Sequence, residues 1–204
     1  MTLVEFLVVI VIISILAAML MPALAKTMHL ARQVGCSSNL RQIYLGGLLR
    51  YANDYGGYFL SVQDENGTKW DVRLHRLYVS RTASLDKAGG NSIFWCLSRP
   101  KTLNYWCHGY GMQYHLPPGE YKYEEAIVKP TRVTLIQKPS QKAIIGDSDN
   151  FHLGHWKWYG AIATNRHVGG AGMLFCDGHV ACMNLPQVLT HGPILLADAV
   201  KDTP

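Results

Sequence analysis

The stretch Phe6-Leu7-Val8-Val9-Ile10-Val11-Ile12-Ile13-Ser14-Ile15-Leu16-Ala17-Ala18-Met19-Leu20-Met21-Pro22-Ala23-Leu24-Ala25 decides the architecture of this chain. It holds 20 residues and no charge, and Lys26 ends it. A helix rises about 1.5 Å per residue, so this run spans about 30 Å, the hydrocarbon thickness of a bilayer. The whole chain has 204 residues, room for one such helix and one domain with a core. Apolar residues make up 49% and charged residues 16%. That charged share falls below the roughly 25% usual for soluble domains, and much of the apolar surplus sits in the first 25 residues.

Three readings compete for this segment. A secretory signal peptide needs a basic n-region, and Thr2-Leu3-Val4-Glu5 supplies none. A plain membrane anchor accounts for the length but not for Glu5, because a lone carboxylate at the edge of an apolar run is costly unless paired. The third reading gives Glu5 a partner, the free α-amino group of residue 1 on the same or a neighbouring chain. Pro22 has no N–H for the carbonyl of Ala18 and crowds that turn, which predicts a kink or a short melted segment over 18–22.

Beyond Lys26 the pattern turns amphipathic. Cys36, Leu40, Tyr44, Leu48, Tyr51 and Tyr55 recur at i, i+3/i+4 and share one helix face, with Arg32, Gln33, Arg41 and Gln42 off it. Gly56-Gly57 is a helix stop. The spacing predicts one helix from about residue 2 to about residue 54, near 80 Å long. Gly46-Gly47 falls inside it, either for close packing or merely tolerated. The divisions that follow are 1–25, a hydrophobic transmembrane helix; 26–55, its amphipathic half; and 56–204, a β-rich head.

In the head the chain reads as short strands and loops. Asn66-Gly67 is a hairpin-turn signal, and Asn66-Gly67-Thr68 is also a glycosylation sequon. The polar stretch 80–92 reads as a surface loop. Val133–Gln137 and Lys142–Gly146 read as strands, the second running into Asp147-Ser148-Asp149. Asp177-Gly178 reads as a two-residue hairpin turn, which pairs Cys176 with His179, Phe175 with Val180 and Met173 with Cys182. Met173, Phe175, Val180 and Cys182 then share a core face. Cys176 and Cys182 point to opposite faces and are not bonded to each other.

Two segments carry a family resemblance. Met1-Thr2-Leu3-Val4-Glu5-Phe6-Leu7-Val8-Val9-Ile10, continuing to Pro22-Ala23-Leu24, resembles the start of a mature type IV pilin or type II secretion pseudopilin. Glu5 matches that family's glutamate. Position 1 departs from it, since Met1 stands where the family usually has Phe. His167, nine intervening residues and then Asp177-Gly178 match the H-x9-D-G motif of one bacterial pilin-like subgroup. The segment from Ala31 through Cys36-Ser37-Ser38-Asn39-Leu40-Arg41-Gln42-Ile43 to Tyr51-Ala52-Asn53-Asp54-Tyr55-Gly56-Gly57-Tyr58 is similar to the same subgroup.

The resemblance implies an α+β pilin fold, with the long helix packed on an antiparallel sheet. It implies a structural subunit of a type IV pilus-like filament or pseudopilus, processed and N-methylated at Met1 by a prepilin peptidase. Glu5 and Pro22 become assembly residues. The partners are other copies of the chain in a helical homopolymer, the assembly machinery, and the bacterial inner membrane before export to the cell surface. The alternative is a membrane-anchored surface binding module that does not polymerise. Among five cysteines, Cys36, Cys96, Cys107, Cys176 and Cys182, no two form a C-x-x-C pair. The residues leave Cys36–Cys96 and Cys96–Cys107 open as disulfides; the resemblance points to the first.

Chemistry has weaker support. Asp147, Asp149, His152, His155, His167, Asp177 and His179 form a polar set. Within it, Asp147, Asp149, His167, Asp177 and His179 are candidate ligands for Zn²⁺ or Ca²⁺. Their spacing fits no known metal loop. The plainer expectation is no cofactor, with His167 and Asp177 hydrogen-bonding to each other or to turn backbone and locking the hairpin. Ser148 lies in no nucleophile elbow and no Gly-rich loop resembles a phosphate cradle, so no enzyme is expected. The net charge of +5 comes without a dense basic run, so no specific nucleic-acid partner is expected.

Overall fold

The computed structural model describes residues 2–81, 85, 92–99, 108–113, 130–153 and 162–188. Met1, Cys107 and His155 lie outside the described residues, so the expectations attached to them do too.

Helix α1 spans Leu3–Ile43, followed by a π-helical turn at Tyr44–Leu48 and helix α2 at Leu49–Asp54. Together they form one rod of 52 residues. Its start is a capping box: Thr2 Oγ1 accepts from Glu5 N–H at 3.4 Å, and the Glu5 carboxylate accepts from Thr2 N–H at 2.6 Å. Both bonds satisfy backbone donors that the first turn leaves orphaned. The rod ends in a Schellman turn, in which Gly57 N–H donates to Ala52 C=O and Gly56 takes φ 66°. The melted segment expected at 18–22 is absent, because α1 runs through Pro22 without a break. One missing hydrogen bond is outweighed by the Leu, Met and Ala residues on either side, all strong helix formers. The Ser14 and Thr27 hydroxyls bond back to the carbonyls of Ile10 and Ala23, so neither needs an outside partner.

Burial divides this rod sharply. From Thr2 to Arg32 every residue is exposed except half-buried Ala17. Burial begins at Cys36, ten residues beyond Lys26, and continues through Leu40, Ile43, Tyr44, Leu48, Tyr51 and Ala52. Tyr55, expected on that stripe, is instead 48% exposed, stacked on Tyr51 at 4.2 Å between ring centroids. The π-turn explains the phase of the second half. It adds a residue to one turn and keeps Tyr44, Leu48 and Tyr51 on the head side. Within it Gly47 admits Leu74, whose Cδ1 would lie 3.0 Å from an added Cβ, whereas Gly46 faces open space.

The head carries strands β1 (Tyr58–Phe59), β2 (Tyr110–Met112), β3 (Thr131–Arg132), β4 (Ala143–Asp147), β5 (Ala171–Phe175) and β6 (Val180–Met183), and helix α3 (Trp70–Tyr78). β1 pairs with β3, and the other four form an antiparallel sheet in the order β2-β4-β5-β6. The α+β class is therefore as expected. Helix α3 is not, since that region read as strands and loops. Its buried residues Trp70, Asp71, Leu74 and His75 follow helical spacing. Asn66-Gly67 does sit in a turn, closed by a single bridge between Gln63 and Lys69 and held by Asp64 Oδ1, which accepts from the N–H groups of Asn66 and Thr68. Val133–Leu135 is a 3₁₀ turn rather than a strand, with Ile136 alone of that stretch buried. Of the predicted loop 80–92, Leu85 is a core residue at 2% exposure.

The hairpin of β5 and β6 departs from its expected register by one residue. Met173 pairs with Ala181 and Leu174 with Val180. Phe175 N–H donates to His179 C=O, and Gly178 N–H donates to Phe175 C=O. The loop is thus Cys176-Asp177-Gly178, a turn followed by a glycine at φ 90°. That shift re-sorts the faces. Leu174, Cys176 and Val180 pack toward α1, while Ala171, Met173 and Phe175 pack with Leu153, Ile162 and Val188 on the far side. Cys176 and Cys182 therefore share the helix-side face at opposite ends of the hairpin, and both are unbonded. β4 is bulged between Ala143 and Ile145, which lets Ile144 and Ile145 both join the helix-side core.

Candidate functional site

The site lies where α1 first enters the head. Cys36 is the first buried residue of the stalk. Cys96 comes from the 92–99 segment, whose turn is closed by Cys96 N–H donating to His108 C=O and Arg99 N–H donating to Cys96 C=O. Asp147 ends β4, and His167 sits in the turn before β5, where His167 and Gly170 exchange backbone hydrogen bonds at 3.1 Å. Gly170 has φ 126°, and an added Cβ would lie 2.0 Å from the Met183 carbonyl oxygen, so only glycine lets this turn close.

These four side chains converge. The sulfurs of Cys36 and Cys96 are 3.3 Å apart. His167 Nε2 lies 3.8 Å from Cys96 Sγ and 3.0 Å from Asp147 Oδ2. Asp147 Oδ2 also accepts from Gly172 N–H at 2.7 Å. Leu97 N–H donates to Cys36 Sγ at 3.2 Å, and Tyr110 Oη donates to the Cys36 carbonyl at 3.4 Å. Asp147 is fully buried and Cys36, Cys96 and His167 nearly so. Arg166 frames the acid: Nη1 donates to the carbonyls of Gly109 and Ser148 and lies 3.9 Å from Asp147 Oδ1, while Nη2 pairs with Asp149.

The electrostatics follow from this packing. The Cys96 thiol hydrogen-bonds to Cys36 and pulls the Cys36 pKa down; burial opposes it, His167 assists, and the value settles at about 4. The same contact, with burial, drives Cys96 upward. Burial alone would lower His167, but its Asp147 hydrogen bond and Cys36 raise it to about 9. The contacts thus shift Cys36 toward its thiolate and His167 toward its imidazolium, and hold Cys96 toward the thiol.

Several expected groupings do not form. His167 does not bond to Asp177. The Asp177 carboxylate accepts from His179 N–H at 3.1 Å and meets His179 Nδ1 at 2.6 Å, both at the exposed hairpin tip. His167 lies before the start of β5 and Asp177 beyond its end, so the length of a five-residue strand separates them. Of the expected metal set, Asp147 and His167 are together, Asp149 belongs to Arg166, and Asp177 and His179 pair elsewhere. Among the described residues the group of three or more converging ligand atoms is Cys36, Cys96 and His167. Cys36 and Cys96, one of the two open disulfide pairings, are neighbours but both are free cysteines, with no disulfide bond between them. His152 lies apart from the cluster, and burial lowers its pKa to about 4.

The motif glycine has a separate role. Tyr44 Oη donates to Cys176 C=O at 2.8 Å, and the ring of Tyr44 covers Gly178. A second buried carboxylate–histidine contact, Asp71 Oδ2 with His108 Nδ1 at 2.5 Å, joins α3 to the segment just before β2, next to Trp95. Neither it nor Arg166 was singled out by spacing, because each partner comes from a distant segment. No protein-family model, curated protein or solved structure matches this chain.

Proposed function

We propose that the chain is a type IV pilin-like subunit that is held in a membrane by the first half of α1 and polymerises through it into a surface filament or pseudopilus. The observation that carries this reading is the break in burial along one continuous helix. One face of residues 36–52 lines the head's own core, while Leu3, Phe6, Val8, Ile10, Ile13, Leu16 and Leu20 are each more than two-fifths exposed. Each such side chain gains about 1.5–3 kcal/mol on leaving water, so the half-helix needs a cover that the head does not provide. Lipid serves before assembly and sister helices serve in the fibre.

The α+β head on an emerging helix fits a pilin fold, and the helix is long and apolar enough to cross a membrane. Processing and N-methylation fall at Met1, the position implied by the resemblance around Glu5. In this reading the Glu5 carboxylate, which accepts from Thr2 N–H in the first turn, pairs in the fibre with the N-terminal amine of a neighbour. The head then lies outside the cytosol.

Electron microscopy of material sheared from cells tests the reading. Thin fibres containing this chain support it; a membrane pellet without fibres favours an anchored binding module. Glu5→Ala is expected to leave the protein in the membrane and abolish fibres, and normal fibres from that variant would remove Glu5 from the assembly step.

A further inference from the structure

We propose that Cys36, Cys96, His167 and Asp147 form a structural zinc site that ties the stalk helix to three segments of the head. This ligand set differs from the one expected from spacing, because two cysteines replace Asp149, Asp177 and His179. Cys36 comes from α1, Cys96 from the 92–99 segment and His167 from the loop before β5, and their ligand atoms all lie within 4.8 Å of one another. Zn–S bonds of about 2.3 Å and Zn–N bonds of about 2.0 Å, at tetrahedral angles, set two sulfurs about 3.8 Å apart and a sulfur and a nitrogen about 3.5 Å apart. The sulfurs of Cys36 and Cys96 stand at 3.3 Å, and Cys96 Sγ and His167 Nε2 at 3.8 Å. Side-chain shifts of about half an ångström bring these atoms onto a zinc shell, with no movement of the fold.

Asp147, at the end of β4, supplies the fourth ligand. Its Oδ2 lies 3.0 Å from His167 Nε2, against about 3.3 Å between two such ligands on zinc. It stands on the His167 side of the group, so its carboxylate turns toward the sulfurs when the ion enters. Asp147 is fully buried and its Oδ1 accepts no hydrogen bond, a cost to a buried carboxylate that a cation removes. The ligands are also held from behind. Gly172 N–H donates to Asp147 Oδ2 at 2.7 Å, and Leu97 N–H donates to Cys36 Sγ at 3.2 Å. Gly109, at φ 101°, passes so close that an added Cβ would lie 2.7 Å from Cys96 Cβ. Contacts of this kind fix the orientation of metal ligands.

Charge balances in the exchange. The sulfur–sulfur contact holds one proton, and the contact between His167 and Asp147 holds another. One Zn²⁺ takes the place of both, the two protons leave to solvent, and the charge of the group is unchanged. Zinc with two thiolates, a neutral imidazole and a carboxylate keeps a single net negative charge. Arg166 offsets it, with Nη1 3.9 Å from Asp147 Oδ1. Two sulfurs exclude Ca²⁺ and Mg²⁺, which take oxygen ligands, and a tetrahedral set of sulfur, nitrogen and oxygen suits zinc. Four protein ligands close the shell and leave no position for a reacting water, so the site is structural. The ion joins α1, at its first buried residue, to the sheet and to the 92–99 segment. Docking of the head on the stalk then depends on metal.

The test uses the untagged full chain, purified in detergent with a phosphine reductant, stripped with a chelator and dialysed. Zinc alone is added, and bound metal is counted by mass spectrometry after gel filtration. The wild type is expected to keep one zinc per chain, to release about two protons as it binds, and to melt at a higher temperature with zinc than without. Cobalt(II) in place of zinc should show the visible bands of a tetrahedral ion and a near-ultraviolet thiolate charge-transfer band. Cys36→Ser, Cys96→Ser and His167→Gln should each weaken zinc binding by at least about a hundredfold, and Asp147→Asn by about 10–100-fold. His179→Gln, at the hairpin tip, should bind as the wild type does. Where a ligand variant fails to fold, the cobalt spectrum of the wild type decides, and a spectrum without thiolate charge transfer overturns the proposal. So would a wild type that retains no zinc, or zinc retained by both serine variants. Protein isolated without reductant that carries a Cys36–Cys96 disulfide and no metal would overturn it too. The site needs only the folded head, so fibres in cells, present or absent, bear on the filament reading alone.

Discussion

Gly178 lies under the ring of Tyr44, close enough that an added Cβ would stand 2.4 Å from Tyr44 Cε1 and 2.7 Å from Cδ1. The contact joins the hairpin tip to the stalk helix at the first residue of the π-turn. Gly178 also has φ 90°, a conformation that side chains resist. Two independent constraints thus fall on one glycine, one from the backbone of the β5–β6 loop and one from the docking of that loop on the stalk.

Replacing Gly178 with Ala should therefore cost about 2–4 kcal/mol, from the forced backbone and the collision together. Asp177→Ala, at an exposed position that bonds only within its own loop, should cost much less. Thermal melting of the head by near-ultraviolet circular dichroism compares the two. Equal losses would mean that Tyr44 yields freely.

The neighbouring glycines of the rod should behave differently from each other. Gly46→Ala meets nothing within 4 Å and should stabilise the helix by about 0.5–1 kcal/mol. Gly47→Ala gains the same propensity but crowds Leu74, so it should be the less stable of the pair. Urea midpoints measured side by side settle the order.

Truncations along α1 should show where the rod joins the head. Leu40→Ala removes a fully buried side chain and should cost about 2–5 kcal/mol. Leu16→Ala, at 56% exposure, should leave the melting of the head unchanged in detergent. A drop from Leu16→Ala comparable to that from Leu40→Ala would show that the first half packs on the head after all.

His152 should make the head acid-sensitive. Burial depresses its pKa to about 4 from an unfolded value near 6.5. The unfolded chain therefore binds the proton first, and the stability that neutral His152 supplies is present above pH 6.5 and lost as pH falls toward 4. His152→Gln should flatten this part of the pH profile of the unfolding midpoint. An unchanged slope would assign the acid sensitivity elsewhere.

Much of this was legible in the residues. The rod from Leu3 to Asp54, its stop at Gly56-Gly57 and the buried stripe through Cys36, Leu40, Tyr44, Leu48 and Tyr51 all follow from local periodicity. So does strand β4, and so does a turn at Asp177-Gly178. What was not legible was register. A glycine at φ 90° after a turn and a two-residue hairpin begin with the same letters, and one residue of slip moves Val180 and Cys182 to the other face. Helix α3 was missed because its nine residues carry only two turns of pattern.

The chain's own order of residues determined that it would be a long helix with an apolar first half and an amphipathic second half, followed by a head that contains strands. That follows because helix periodicity and stop signals act over a few neighbouring residues. Only the tertiary structure decided that Cys36, Cys96, Asp147 and His167 meet, and that the glycine of the D-G pair rests on Tyr44 rather than its aspartate on His167. Those contacts join segments up to 134 residues apart, from Tyr44 to Gly178, and their geometry is set by how the sheet docks on the helix.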